Sequence, residues 1–278
     1  MSPPTQAQRD EAERDIGLPV RVFRGPAAPT ALVLHLHGGA FQQDASNCHD
    51  AVARLLAEAG AVVVSVDYPT GPAHPFPAAL RAGFRALQSL ATHRAAWANR
   101  RARLFVAGEE SGGNLAAALA MMARDQGGPA LSGQILVSPM LDPCLASASV
   151  RDADAGPAGC RLADGWHHYL GAPELAAHPY AAPANASRLA RLPPALVLTA
   201  ADDPLLDESL RYAERLVAAG IEATSHVLPA PTGWPGALGT NTADECPCAP
   251  IARRLFSDFL AQTALTTRPP LRAEGASR

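Results

Sequence analysis

Val106-Ala107-Gly108-Glu109-Glu110-Ser111-Gly112-Gly113-Asn114-Leu115-Ala116 is the stretch on which the fold turns. An apolar run, Leu104–Ala107, ends at a glycine, and a helical period, Ser111–Arg124, starts almost at once. A strand that gives way so abruptly to a helix is the repeating unit of an α/β sheet. Further runs of the same kind lie on either side: Val20–Phe23, Ala31–His35, Val62–Val66, Ile135–Val137, Leu196–Thr199 and Ala223–Leu228. Most are continuously apolar rather than alternating, as strands covered on both faces must be. Helical periods at Asp50–Ala59, Ala78–Ala91, Asp207–Ala219 and Ala249–Ala261 fall between or after them. The alternation predicts a parallel sheet with helices on both sides.

With 278 residues, 48% of them apolar, the chain can bury one large core. Its formal charge of -3 offers no basic face, which argues against nucleic acid or an anionic membrane as partner. Arginine supplies all 23 positive charges. The five cysteines (48, 144, 160, 246, 248) are too scattered for a disulfide scaffold. Cys246-Pro247-Cys248 has no neighbouring histidine and makes half a metal site at best, so neither metal nor cofactor is expected. Met1–Asp15 is polar, without the pattern of a signal peptide, and the longest apolar stretch, Leu115–Ala123, is far short of a membrane span. A cytoplasmic protein is the expectation, with a small-molecule ligand and room for a homo-oligomer or a partner protein.

The rhythm divides the chain into an N-terminal segment or partial lid (1–19), a main domain (20–265) and a tail (266–278) expected to be disordered. Residues 143–194 break the pattern with prolines, glycines and one candidate helix, Ala163–Leu170, and read as a lid insertion. Residues 229–248 read as a long loop, of a kind often functional.

Three further stretches carry a resemblance. They are His35-Leu36-His37-Gly38-Gly39-Ala40-Phe41; Val64-Ser65-Val66-Asp67-Tyr68-Pro69 with His74-Pro75-Phe76-Pro77; and Leu192-Pro193-Pro194 with Asp203-Pro204-Leu205-Leu206-Asp207-Glu208. Together they resemble the hormone-sensitive-lipase group of α/β-hydrolases. The resemblance implies an α/β-hydrolase sheet with a partial lid. It also implies a strained strand-to-helix elbow, G-x-S-x-G, that presents a serine nucleophile, with acid and histidine following in chain order. Gly38 and Gly39, with the N–H of Ser111, match the oxyanion hole. Asp203 matches the triad acid, and Ser138-Pro139-Met140-Leu141-Asp142 matches a structural strand end.

Two positions depart from that pattern. Aligned without a gap, Glu110 takes the nucleophile slot and Ser111 falls one residue late, while Thr232 stands where the histidine belongs. His226 lies within a predicted strand, and His167 and His168 lie on the lid helix. A serine without a base is a poor nucleophile. The expectation is therefore a degenerate, non-hydrolytic member of the group that binds a small, mostly apolar molecule and uses Glu110 as acid or base, as a cyclase, isomerase or lyase would. Burial and nearby Asp203 disfavour the charged form of Glu110, whereas the helix N-terminus and the oxyanion donors favour it. Two alternatives stand beside it: a noncatalytic pseudoenzyme or partner subunit, in which Glu110 folds into the vacant hole, and a weak carboxylesterase using Ser111. Trp166, Tyr169, Trp234 and Phe41 are candidates to line an apolar pocket.

Overall fold

The computed structural model describes residues 6–26, 29–42, 50–152, 156–229 and 248–266. Its strands are β1 (Val20–Arg24), β2 (Ala31–Leu36), β3 (Ala61–Val66), β4 (Arg103–Glu109), β5 (Gly133–Val137), β6 (Ala195–Ala200) and β7 (Ala223–Leu228). They form one sheet in the order β1-β3-β2-β4-β5-β6-β7. Every pairing is parallel except that of β1 with β3. The result is the mostly parallel α/β-hydrolase sheet that was expected, with the antiparallel pairing confined to the edge strand β1.

The helices are α1 (Gln6–Ile16), α2 (Ala51–Glu58), α3 (Ala78–Thr92), α4 (Arg94–Trp97), α5 (Ser111–Asp125), α6 (Ala148–Arg151), α7 (Gly156–Leu170), α8 (Leu206–Ala218) and α9 (Cys248–Thr266). All six residues of β2 are buried. Leu32, Leu34 and Leu36 face a core shared with α3, α5, α8 and the lid, whereas Ala31 and Val33 face a second core under α2 and α9. Each such leucine or valine contributes about 1.5–3 kcal/mol on leaving water. α5 lies at the centre of the first core. Its glycines and alanines keep the backbone close to the sheet, and nearly every residue is buried.

α1 was not legible as a helix, because only Ala12 and Ile16 make its apolar contact with the core, near α3. The lid holds α6, α7 and two short 3-10 turns, Pro173–Ala177 and Pro183–Asn185. α7 begins seven residues before the expected Ala163. Gly156-Pro157 reads as a breaker in sequence, yet proline in a first helical turn forfeits no hydrogen bond. The tail beyond residue 266 lies outside the described residues.

Candidate active site

The strand ends of β2, β4, β5 and β6 open toward the lid, where ligands of open α/β sheets bind. Between β4 and α5 the chain turns through Glu110, at φ 51° and ψ -116°. A non-glycine residue there costs on the order of 1–3 kcal/mol and persists only when its surroundings hold it. They do. Glu110 donates its N–H to the Val137 carbonyl at 3.0 Å, and its own carbonyl accepts from Met140 and Asn114. Gly112 lets the turn close, since a Cβ there would sit 1.9 Å from the Leu36 carbonyl oxygen.

The Glu110 side chain reaches the loop after β2. Its Oε2 accepts the N–H groups of Gly39 at 2.8 Å and Ala40 at 3.2 Å. Its Oε1 accepts from the Arg161 guanidinium of α7 at 2.6 Å. The convergent donors thus lie at Gly39 and Ala40, whereas Gly38 turns its N–H to Glu109 Oε1 at 3.0 Å. Ser111 is fully buried. Its hydroxyl lies 3.3 Å from the Tyr68 hydroxyl, and Tyr68 donates to the His37 carbonyl at 2.6 Å while stacking on the His37 ring.

Asp203 follows β6 and is 2% exposed. The Ser138 hydroxyl donates to its Oδ2 in a short hydrogen bond, Thr199 donates to the same oxygen at 2.5 Å, and the Leu205 N–H donates to Oδ1. Burial lifts the Asp203 carboxyl above its ordinary range against these donors, and the neighbouring Glu110 charge adds to the rise. Ser138, read from sequence as a strand end, has φ 44°, and Ala40 and Phe41 of the donor loop share the left-handed region at φ 50° and 59°. Asp207 and Glu208, near the start of α8, brace the lid. Asp207 accepts the Ser149 N–H and Glu208 accepts the Asp142 N–H.

Sequence reasoning missed Arg161, because an arginine in a lid of small residues shows no periodicity that assigns it to the site. It also missed the buried contacts of Glu109. Phe41 stacks on Tyr169 with centroids 3.8 Å apart and touches Trp166, fastening α7 to the loop. Trp166, His167 and Leu170 join Pro143, Leu145 and Pro173 around an apolar cavity of about 530 Å³. His226 lies exposed on the edge strand β7. Thr232, Trp234 and Cys246 fall outside the described residues. Among the described residues, no three metal-ligating side chains cluster and no helix is long and apolar enough to cross a membrane.

Comparison with known proteins places this geometry. Residues 33–232 match the family described as alpha/beta hydrolase fold. The chain is 38% identical over 220 residues to esterase LipI of Mycobacterium tuberculosis, covering 74% of this chain and 67% of that protein. It is 38% identical over 225 residues to carboxylesterase NlhH of the same organism, covering 75% and 70%. The solved structure of a thermostable esterase from Pseudomonas putida superimposes with a TM-score of 0.74 at 26% identity, covering 94% of this chain and 89% of that one.

These findings correct the sequence reading. The resemblance to a degenerate hormone-sensitive-lipase-like group gives way to kinship with esterases and carboxylesterases. The non-hydrolytic acid–base function, the pseudoenzyme and the lapsed triad fall with it: the relatives are named as ester hydrolases, and Asp203 accepts a hydrogen bond from the Ser138 hydroxyl, while Thr232, at the histidine position, lies outside the described residues. The error was to infer the loss of a reaction from two positions. The chain belongs to the α/β-hydrolase family, and its relatives in that family include an esterase and a carboxylesterase.

Proposed function

We propose that the protein hydrolyses small, mostly apolar carboxylic esters at the strand ends around Glu110, Ser138 and Asp203. One observation carries the reading: the N–H groups of Gly39 and Ala40 converge on a single oxygen of negative charge beside the elbow. That is the arrangement a tetrahedral acyl intermediate requires, in a chain whose relatives include a carboxylesterase. The Ser111 N–H, next along the elbow, is the third donor in this reading. For an acyl oxygen to take these donors, the Glu110 carboxylate must first leave them. In this reading Asp203, whose Oδ2 accepts the Ser138 hydrogen bond, takes that hydroxyl's proton as it attacks the ester carbonyl.

The test is turnover of p-nitrophenyl esters from acetate to octanoate, with fluorophosphonate labelling mapped by peptide mass. Saturable turnover, with label on Ser138 or Ser111 and loss of both in the matching alanine variant, supports the reading and names the attacking hydroxyl. No turnover across the series and no labelled serine would sink it.

A further inference from the structure

Beneath the donor loop lies a polar chain that the proposed reaction does not use directly. It crosses three neighbouring strands on one face of the sheet. His35 of β2 is opposite Ser65 of β3 in register, and the rings and hydroxyls meet there: His35 Nδ1 lies 2.9 Å from Ser65 Oγ. His35 Nε2 lies 2.7 Å from Glu109 Oε2, at the end of β4. The other Glu109 oxygen accepts the Gly38 N–H at 3.0 Å. His35 is 0%, Ser65 1% and Glu109 8% exposed. The residue types are those of a nucleophilic triad, but the Ser65 hydroxyl meets His35 within the sheet and not the donors of Gly39 and Ala40.

We infer that Glu109 is a positioning residue: it anchors the donor loop through the Gly38 N–H, and His35 and Ser65 hold it in place. The inference rests on the proposed ester hydrolysis for its kinetic consequence and on the hydrogen bonds for its structural one.

The physical reason is the order of the loop. Gly38 is the last residue before the two donors. A loop anchored there presents Gly39 and Ala40 at a fixed angle, and a loop free there does not. The approach is close, since an added Cβ on Gly38 would lie 3.3 Å from Glu109 Cγ and 3.1 Å from Glu110 Oε2. The two neighbouring carboxylates divide the loop between them. Glu109 takes the first N–H, and Glu110 takes the next two.

The carboxyl of the anchor is held toward its ionised form, while the hydrogen bond to the Gly38 N–H needs only an acceptor. Burial pushes the Glu109 carboxyl up, but His35, the Gly38 N–H and His37 together bring it below its ordinary value. His35 from β2 and His37 from the loop are the facing groups of opposite tendency, and Glu110 across Gly38 is the facing acid.

Donor alignment matters in the transition state more than in substrate binding. Glu109→Ala is therefore expected to lower kcat for p-nitrophenyl butyrate about tenfold or more with KM within about twofold. Glu109→Gln keeps an acceptor for the Gly38 N–H and, with His35 in the tautomer that carries its proton on Nδ1 toward Ser65, its amide donates to His35 Nε2, so it should recover most of the lost kcat. Glu109→Asp, too short to span both partners, should not. Hydrogen exchange of the Gly38–Phe41 backbone, read by mass spectrometry on the full chain, provides an arm that needs no turnover. Protection there should fall in Glu109→Ala and return in Glu109→Gln, with protection of β4 and α5 unchanged.

If wild type turns over no ester, the proposed function fails and the exchange arm alone judges the anchor. Unchanged loop protection in Glu109→Ala would overturn the anchor whatever the kinetics. So would a Glu109→Asp variant as active and as protected as Glu109→Gln, which also decides the matter should Glu109→Ala fail to fold.

Discussion

The Arg161 guanidinium of the lid helix lies 2.6 Å from Glu110 Oε1, while the opposite oxygen of that carboxylate fills the donors of Gly39 and Ala40. A lid residue therefore holds, in the donor site, the group that a substrate must displace. Glu110 is 7% and Arg161 46% exposed on their side chains, so solvent and salt weaken the pair from one side only.

Arg161→Met should loosen this hold. A half-exposed pair of this kind is worth about 1 kcal/mol or less. The variant is expected to raise kcat/KM for p-nitrophenyl butyrate, up to about fivefold at low ionic strength. Added sodium chloride should bring the wild type toward the variant. A variant equal to or slower than wild type at every salt concentration would show that the pair does not oppose substrate entry.

Gly165→Ala tests how tightly the lid helix sits on the donor loop. A Cβ at 165 would lie 2.1 Å from the Ala40 carbonyl oxygen, so either α7 or the loop must move. Overpacking of this order costs about 1–3 kcal/mol. Urea unfolding should show that loss, and ester turnover should fall with it because Ala40 is one of the two donors. Full stability and full activity together would mean that the helix shifts freely.

Ser138 and Asp203 should act as one unit. Ser138→Ala and Asp203→Asn are each expected to lower kcat/KM at least about tenfold, and the double variant should be no worse than the worse single one. Additive losses would separate the two residues and weaken the assignment of Asp203 as the acceptor of the Ser138 proton.

Glu208 is buried, with Oε2 on the Asp142 N–H and no hydrogen-bond partner for Oε1 among the described residues. Burial, with Asp142 and Asp203 adding to it, raises its carboxyl well above the ordinary carboxylate value. A folded-state value above the unfolded one means that its contribution is fully present in acid and is lost as pH rises through the raised value. Glu208→Gln keeps the acceptor and removes the charge. Its melting temperature should match wild type in acid and exceed it increasingly as pH rises toward alkaline. A gap independent of pH would show that Glu208 ionises no differently in the folded state.

Much of the architecture could be read from local pattern. Continuous apolar runs such as Ala31–His35 and Val62–Val66 mark buried parallel strands because a strand covered on both faces has no polar side to show. Gly112 and the alanines of α5 mark a helix pressed onto the sheet. The antiparallel β1 and the helix α1 escaped, since pairing direction and the docking of a polar segment through Ala12 and Ile16 are decided by what lies across from them.

At the site, the chain alone determined that a carboxylate, Glu110, follows β4 where a helix starts, and that glycines end β2. Tertiary structure alone decided which N–H groups face it. Gly38 belongs to Glu109, and Gly39 and Ala40 belong to Glu110, because those partners are about 70 residues apart and meet only when β2 and β4 pair in register. The same holds for Ser138 with Asp203 and for Arg161 with Glu110. Propensity and period act over a few neighbours, whereas hydrogen bonds between strand ends depend on the closed sheet.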